Sequence, residues 1–209
     1  MEVIDYRTLY RGQNKLKHLG GKTLQNFLRN YALFSCKIQF KEIIAVLKYT
    51  ICFIRKQNEL LLLNRNKSPN MGMWNGVGGK IEQNESPYES VIRETFEETG
   101  IYLEEATFAG NVTWQSNAGN SGMYVFVANL PPNVHIDTPF HKEEGIIDWK
   151  DINWVLHSDN KGVVDNIKMY LPKILEGQYG LEHKFLYNNG KMLGYSTSVL
   201  NLETPYQTV

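Results

Sequence analysis

Three glutamates, Glu94, Glu97 and Glu98, occupy positions i, i+3 and i+4 of one polar segment. On a helix this spacing places the three carboxylates on one patch, where like charges repel each other. A hard divalent cation such as Mg²⁺ or Mn²⁺ would remove that repulsion, because it prefers carboxylate oxygens and completes its shell with water and substrate phosphates. The cluster therefore indicates either a metal site for phosphate chemistry or a solvated acidic face.

The segment around these glutamates carries clear helix boundaries. Ser86 is suited to cap a helix N-terminus, Pro87 to occupy its first position, and Glu89 to complete a capping box. Gly100 can adopt the left-handed conformation that closes a helix. The sequence therefore predicts a helix of about 13 residues over positions 87–99. Its apolar stripe is expected to pack on a sheet and contains Tyr88, Val91, Ile92, Thr95 and Thr99, with Phe96 at its edge.

The glutamates belong to a longer pattern, G-x5-E-x7-R-E-U-x-E-E-x-G-U, in which U is an apolar residue. Its fixed positions are filled by Gly79, Glu85, Arg93, Glu94, Glu97, Glu98 and Gly100. Seven fixed residues at roughly 7% usage each would coincide by chance on the order of 10⁻⁸ per start position. The pattern resembles the signature of the Nudix hydrolase family. Thr95 is a departure at an apolar position, where its methyl group can still face the core.

The Nudix resemblance implies a fold and an activity. The implied fold is α/β, a Nudix-type α/β/α sandwich with a mixed β-sheet. The implied activity is hydrolysis of a nucleoside diphosphate linked to another group, with water attacking phosphorus. This chemistry needs neutralised phosphate oxygens and an oriented nucleophile, which a carboxylate-and-metal site can supply. Mg²⁺ is the expected cofactor, and Mn²⁺ is the second candidate.

The resemblance also assigns roles to residues. The implied catalytic residues are Glu94, Glu97, Glu98 and Arg93, of which Arg93 is expected to orient the glutamates rather than to touch substrate. The implied metal ligands are Glu97 and Glu98, then Glu94 as a ligand or as the base that activates water, Glu85 in support, and the carbonyl of Gly78. An additional acid from outside the pattern is expected at Glu144, with Glu143 as its competitor, although both could be solvated loop charges.

Residues 71–80, MGMWNGVGGK, resemble the corresponding segment of MutT-like hydrolases of oxidised purine nucleoside triphosphates. That resemblance implies that Asn75 meets the purine base, which an amide can recognise by donating and accepting hydrogen bonds. The alternative is that Asn75 merely shapes a turn. The expected substrate-binding residues are Asn75, Gly79, Lys80, Trp114, Asp159 and Asn160. For Trp114 and also Trp154, the alternative to stacking on a base is a place in the core.

These features predict an 8-oxo-dGTP diphosphatase that releases pyrophosphate and a nucleoside monophosphate and so cleans the nucleotide pool. The rival enzyme activities are those of an RNA 5′-pyrophosphohydrolase and an ADP-ribose pyrophosphatase. ADP-ribose enzymes tend to carry a proline past the signature, where this chain has Trp114, Gln115 and Ser116. A rival of another class is a non-catalytic Nudix-fold regulator that binds nucleotides. Such proteins usually lose glutamates that are all present here.

Composition limits the partners and the compartment. The 209 residues carry 22 basic and 22 acidic side chains, so no global field attracts nucleic acid or anionic lipid. A small nucleotide is the expected partner, the 5′ end of RNA is the exception among nucleic acids, and the oligomeric state stays open. Cys36 and Cys52 cannot make a disulfide framework, and the apolar run of residues 43–54 is too short to span a bilayer. We expect a cytoplasmic protein without a membrane partner.

The expected organisation has three parts: an N-terminal extension over residues 1–45, with a short helix at 23–34 or poor order; a Nudix domain over 46–200; and a tail over 201–209. Within the domain, apolar runs predict a hairpin with its turn at Gln57 and Asn58, a second strand pair around residues 117–122, and a strand after an acidic loop. Helical spacing over residues 165–175 predicts a second helix, which Pro172 could bend or break. A mixed sheet with a helix on each face accounts for this order.

Overall fold

The computed structural model describes residues 47–200, and the two apolar runs at the start of this range form a hairpin. Strand β1 (Leu47–Lys56) pairs antiparallel with β2 (Glu59–Arg65) through a turn at Gln57 and Asn58, as predicted. Gln57 has a positive φ of 54° in this turn. The predicted N-terminal extension, its helix at residues 23–34 and the C-terminal tail lie outside the described residues.

Seven further strands within the described range complete one sheet: β3 (Trp74–Asn75), β4 (Thr107–Ser116), β5 (Gly119–Asn129), β6 (Phe140–Lys142), β7 (Gly145–Asp151), β8 (Leu181–Asn188) and β9 (Lys191–Val199). Their order is β6-β7-β2-β1-β5-β4-β8-β9, with β3 beside β2. β1 pairs parallel with β5, and β4 pairs parallel with β8. The other neighbouring pairs are antiparallel, so the sheet is mixed as predicted.

A helix covers each face of this sheet. Successive residues of β1 alternate between two buried clusters, with Phe53 on the face covered by α3 (Ile167–Leu175) and Ile54 on the face covered by α1 (Pro87–Thr99). Burial on both faces explains why β1 and β2 are nearly continuous apolar runs. The α/β/α sandwich is therefore confirmed. A third short helix, α2 (Ile152–Leu156), follows β7, and no helix within residues 47–200 is long and apolar enough to cross a membrane.

Helix α1 begins and ends where the sequence predicts. The Ser86 hydroxyl accepts a hydrogen bond from the Glu89 amide at 3.2 Å, and the Glu89 carboxylate accepts one from the Ser86 amide at 2.8 Å. Gly100 closes the helix with a φ of 78°, and its amide donates to the Phe96 carbonyl. The helix boundaries therefore follow from local hydrogen bonding alone.

The face that α1 buries differs from the predicted stripe. Val91, Thr95 and Thr99 are buried as expected, but Ser90 and Glu98 are buried as well, while Tyr88 is 44% and Phe96 53% exposed. The cause is polar contact with the rest of the fold. The Ser90 and Thr50 hydroxyls lie 3.3 Å apart, and the Glu98 carboxylate accepts a hydrogen bond from the Gly78 amide. Through these contacts the buried face of the helix includes the polar residues Ser90 and Glu98.

Three other segments correct or extend the sequence prediction. The β4–β5 turn is shorter than predicted, because β5 already begins at Gly119. The acidic loop is the tip of a β6–β7 hairpin rather than a free loop before one strand. The antiparallel β8–β9 hairpin was not predicted at all. Pro172 lies inside α3 without ending the helix.

Replacing Ser86 with alanine should destabilise the domain by about 1 kcal/mol, because the Glu89 amide at the start of α1 loses its side-chain acceptor. Urea unfolding followed by circular dichroism would measure the change in the free energy of unfolding. Ser158→Ala, at an exposed serine outside the helix, is the matched control and should change it little. Equal effects of the two substitutions would contradict the cap assignment.

Candidate active site

The loop that contains Gly78 and Gly79 lies against β1 and next to α1, the helix that carries the three glutamates. The Thr50 amide donates to the Gly79 carbonyl at 2.9 Å, and Cys52 and Val77 exchange two backbone hydrogen bonds. A Cβ added at Gly78, which has a φ of 144°, would lie 2.3 Å from the Thr50 carbonyl oxygen. One added at Gly79 would lie 2.4 Å from the Glu94 carboxylate. Only glycine at these positions allows the loop, the strand and the helix to meet so closely.

Glu98 is the most deeply placed carboxylate of the cluster. It is 5% exposed, and its Oε2 accepts a hydrogen bond from the Gly78 amide at 2.7 Å. Burial raises the pKa of Glu98 to about 8, against the lowering effect of that hydrogen bond, and the neighbouring Glu94 adds to the rise. Burial also raises the pKa of Glu94, although Arg93 opposes the shift. The site therefore holds two carboxyl groups whose charged form burial disfavours, and of these Glu94 has Arg93 as a partner.

Arg93 holds the other carboxylates together. Its guanidinium binds Glu85 through Nε at 2.7 Å and Nη2 at 2.9 Å, and its Nη1 lies 3.0 Å from both Glu94 and Glu97. Nη2 also donates to the Lys80 carbonyl at 3.2 Å. The hydrogen bond from Arg93 is the main reason that the pKa of Glu85 lies below its usual value. This geometry agrees with the prediction that Arg93 orients glutamates.

Glu143 and Glu144 approach the same region from the tip of the β6–β7 hairpin. Lys67 Nζ lies 3.3 Å from the Glu143 carboxylate and 3.1 Å from that of Glu144. The Glu143 side chain is 88% exposed and that of Glu144 only 36%. Glu144 also contributes to the raised pKa of Glu98. Glu144 is thus the better placed of the two, and its role as a metal ligand stays a prediction.

The carboxylates of the site are ligands that a hard metal cation prefers, although most of them form ion pairs with Arg93 or Lys67. In the arrangement described for residues 47–200, no three His, Cys, Asp or Glu side chains form a group that could hold a metal ion. Arg93 binds Glu85, Glu94 and Glu97, and Lys67 binds Glu144. Glu98, in contrast, is a buried carboxyl group with a backbone amide as its hydrogen-bond donor. A divalent ion would supply the charge compensation that this group lacks.

A cavity of about 1000 Å³ joins the glutamates to the far side of the sheet. Its acidic end is lined by Gly78, Gly79, Lys80, Glu94, Glu97, Glu98, Glu143 and Glu144. Its other end is lined by Met73, Asn75, Trp114, Met123, Val164, Asp165, Asn166 and Tyr187. Glu85 does not line the cavity and reaches the cluster through Arg93. The cavity therefore joins a charged end to a mainly apolar end with a few polar groups, as ligand sites usually do.

Asn75 and Trp114 both lie at this cavity. The Asn75 carboxamide oxygen accepts a hydrogen bond from the Gly76 amide at 3.0 Å, so its side chain shapes a turn as well as lining the cavity. Trp114 stacks on Tyr49 with ring centroids 6.3 Å apart and an interplanar angle of 23°. Trp154 is largely exposed and does not line the cavity.

Asp159 and Asn160, which the sequence predicts as substrate contacts, do not line the cavity, and that role stays a prediction. The Asn160 amide donates to the Trp154 carbonyl at 2.8 Å, and its side-chain oxygen accepts from the Gly162 amide at 2.9 Å. These bonds commit the side chain to a turn. The polar residues that reach the cavity are instead Asp165 and Asn166, which sequence reasoning missed. The available signal was a polar pair at the start of the helix predicted over residues 165–175.

Arg65 and Lys142 are further cavity residues that the sequence did not single out. Arg65 lies at the end of β2, and its charge acts to lower the pKa of Glu98. Lys142 ends β6, beside the acidic hairpin tip. Both place positive charge at the rim of the acidic end, where a polyphosphate would need it.

Comparison with known proteins identifies the domain that carries this site. Residues 47–172 match the family model described as the NUDIX domain. The MutT protein structure from Bacillus halodurans superimposes with a TM-score of 0.60 at 26% identity, covering 72% of this chain and 96% of that one. The family-model match therefore spans β1 to β7, the helix α1 that carries the glutamates, and the start of α3.

Three curated relatives are similar to parts of the chain. An uncharacterised Nudix hydrolase of Bacillus subtilis, YvcI, is 34% identical over 51% of this chain and 66% of its own length. An NAD-capped RNA hydrolase, NudC, of Haemophilus influenzae is 37% identical over 38% of this chain but 30% of its own length. An oxidised purine nucleoside triphosphate hydrolase of Mus musculus is 23% identical over 71% of this chain and 92% of its own length.

On the ligand role that the Nudix resemblance implies for Glu97, Glu97→Gln should lower kcat roughly 100-fold, because it removes a charged oxygen while leaving the volume unchanged. The fold should persist, since the substitution removes one charge from a repulsive patch. Steady-state kinetics and thermal unfolding of the purified variant would measure both. Glu105→Gln, at an exposed glutamate after α1, is the control and should keep full activity. Retained activity in Glu97→Gln would contradict the ligand assignment.

The contribution of Glu98 to the stability of the metal-free domain should fall as the pH rises from about 4.5 to about 8. Glu98 binds its proton more tightly in the folded than in the unfolded chain, so the stabilisation is complete below its ordinary pKa of 4.5 and is lost as pH rises through about 8. Unfolding of wild type and Glu98→Gln across this range, in the presence of a chelator, would measure the difference. Parallel pH profiles for the two proteins would show that Glu98 does not titrate as described.

Proposed function

Because the chain belongs to the Nudix hydrolase family, we propose that it hydrolyses oxidised purine nucleoside triphosphates such as 8-oxo-dGTP to the monophosphate and pyrophosphate. The observation that carries this proposal is the single cavity that joins the glutamate cluster to Asn75 and Asp165. A triphosphate could lie at its acidic end while the base reaches its apolar end. We place this activity in the cytoplasm, where it would cleanse the nucleotide pool.

The acidic end has the groups that phosphoryl chemistry requires. Glu94, Glu97, Glu98 and Glu144 would hold Mg²⁺ or Mn²⁺ with help from the Gly78 carbonyl, and the ion would supply charge neutralisation on the phosphate oxygens. Arg65, Lys80 and Lys142 line the same end and can bind the remaining phosphate charge. In the alternative to binding the ion, Glu94, whose pKa burial raises, would accept a proton from an attacking water.

The opposite end has groups that can recognise a purine. Trp114 and Met123 offer apolar surface to a base, while Asn75, Asp165 and Asn166 offer donors and acceptors to its edge. The Tyr187 hydroxyl donates to Asp165 at 3.3 Å, which restrains that carboxylate. A site built on hydrogen bonds rejects analogues that leave its polar groups unpaired. The similarity to the mouse hydrolase, which extends over nearly all of that enzyme, supports this substrate class.

An RNA 5′ end with an NAD cap is the second candidate substrate. The NudC match favours it by sequence identity, but this match spans less than a third of that enzyme. Such a substrate also contains a pyrophosphate bond and a purine, so the same cavity could accept it. The two candidates differ in size, because the protein would have to accommodate an RNA chain beyond the phosphates of the NAD-capped substrate.

A substrate panel decides between these activities. The purified full chain, supplied with Mg²⁺, should show its highest kcat/KM with 8-oxo-dGTP, ahead of dGTP, ADP-ribose, diadenosine polyphosphates, triphosphorylated RNA and NAD-capped RNA. Glu97→Gln serves as the control for contaminating phosphatases. A tenfold or greater preference for ADP-ribose or either RNA would overturn the substrate assignment and leave the family intact. Absence of hydrolysis of every compound, with nucleotide binding retained, would support the non-catalytic regulator.

A further inference from the structure

Lys150 on β7 lies between two tryptophans and a carboxylate. Its Nζ is 4.3 Å from the ring centroid of Trp74, 5.6 Å from that of Trp154, and 2.6 Å from Asp148 Oδ2. The Lys150 and Asp148 side chains are 23% and 21% exposed, so the ion pair is largely removed from water. An ammonium group over a tryptophan ring is attracted by the negative face of the ring, and the attraction strengthens as water is excluded.

Trp74 connects the end of the cavity that contains Asn75 to the sheet. On one side, β3 pairs with β2, with Trp74 opposite Asn64. On the other side, the Trp74 amide donates to the Gly162 carbonyl at 2.7 Å, and its carbonyl accepts from the Val164 amide at 3.1 Å. The position of Trp74 therefore sets the position of the segment that follows Gly162.

Three residues that line the cavity directly follow the hydrogen-bonded residues Trp74 and Val164 in the sequence. Asn75 follows Trp74, while Asp165 and Asn166 follow Val164. All three line the cavity described above. A displacement of the Trp74 ring would thus move the polar groups of two separate segments at once.

We propose that Lys150 is a positioning residue for base recognition, which acts by holding Trp74 so that Asn75, Asp165 and Asn166 face the nucleobase together. Trp154, on α2, is the second ring that contacts the Lys150 ammonium group. Its carbonyl accepts the hydrogen bond from Asn160 that stabilises the turn before Gly162. Lys150 does not line the cavity itself, so its effect on substrate passes through Trp74. This inference rests on the proposed purine nucleotide substrate.

The position of Lys150 in the sheet makes the arrangement rigid. Lys150 pairs with Leu60 and Asp148 with Leu62 across β7 and β2, so both side chains lie on the sheet face whose buried cluster contains Leu60 and Leu62 and contacts Trp74. The neighbouring Asp148 fixes the ammonium group and balances its charge. Burial raises the pKa of Asp148, but hydrogen bonds from Lys150 and Thr138 outweigh burial and leave that pKa below its ordinary value. The carboxylate is thus charged at neutral pH and available to hold Lys150.

Two substitutions separate positioning from general packing. Lys150→Met keeps the length and apolar stem but removes the charge, whereas Lys150→Arg keeps a cation that can also lie over an aromatic ring. The matched control is Lys184→Met, because Lys184 forms the same type of ion pair with Glu182, two residues earlier on β8, at 3.1 Å. Kinetics would be measured with 8-oxo-dGTP and with 2-deoxyribose 5-triphosphate, which lacks a base.

The inference predicts that Lys150→Met raises KM for 8-oxo-dGTP roughly tenfold with kcat changed less than about twofold, since contact with the base is loosened and the glutamates are not. The base-free triphosphate should be cleaved as by the wild type. Lys150→Arg should restore most of the KM, and Lys184→Met should leave it unchanged. Thermal unfolding would establish that each variant is folded.

An unchanged KM in Lys150→Met would overturn the inference, and so would an equal loss on the base-free compound or a failure of folded Lys150→Arg to restore the KM. The proposed function fails separately, through the wild type. A wild-type chain that neither cleaves 8-oxo-dGTP nor binds 8-oxo-dGMP in calorimetry would reject the proposed substrate and this inference together. Cleavage by the wild type with no effect of Lys150→Met would reject the inference alone.

Discussion

The site depends on carboxylates that repel each other and that the fold nevertheless keeps close together. Glu94, Glu97 and Glu98 project from one helix, and Glu98 is buried against a glycine whose amide is its hydrogen-bond donor. Arg93 relieves part of the repulsion by binding the outer carboxylates, but it does not reach Glu98 in this arrangement. The same helix buries Glu98 and leaves Tyr88 44% and Phe96 53% exposed. The fold thus gives up some apolar burial in order to keep a carboxyl group inside the site, which is the usual mark of a functional rather than a structural constraint.

The features that sequence predicted correctly are those set by neighbouring residues. The caps of α1 at Ser86 and Gly100 follow from local hydrogen bonding, and the doubly buried strands follow from their apolar runs. The buried face of α1 was predicted incompletely, because a helical wheel contains no information about the Gly78 amide that approaches from another segment. The β8–β9 hairpin had a usable signal in the Asn189–Gly190 pair at its turn, which favours a tight hairpin connection.

The two ends of the cavity differ in how far they can be predicted. The acidic end comes mainly from one continuous stretch, residues 78–98, so its residues are recognisable as a pattern. The end that contains Asn75 and Trp114 combines β3, β4, β5 and the segment before α3, which are far apart in the sequence. For this reason the sequence points to Asp159 and Asn160, whereas Asp165 and Asn166 are the residues that line the cavity. The choice depends on the backbone bonds between Trp74 and residues 162–164, and these bonds leave no periodic trace in the sequence.

The buried carboxyl group of Glu98 and its neighbours should bind a divalent cation. Calorimetric titration of the metal-free full chain with Mn²⁺ at pH 7, repeated in buffers of different ionisation enthalpy, measures this binding and the protons that it releases. Since burial raises the pKa of Glu98 to about 8, we expect saturable binding that releases protons, with both the binding and the release weakened in Glu98→Gln. Absence of saturable binding, or binding without proton release that Glu98→Gln leaves unchanged, would contradict it.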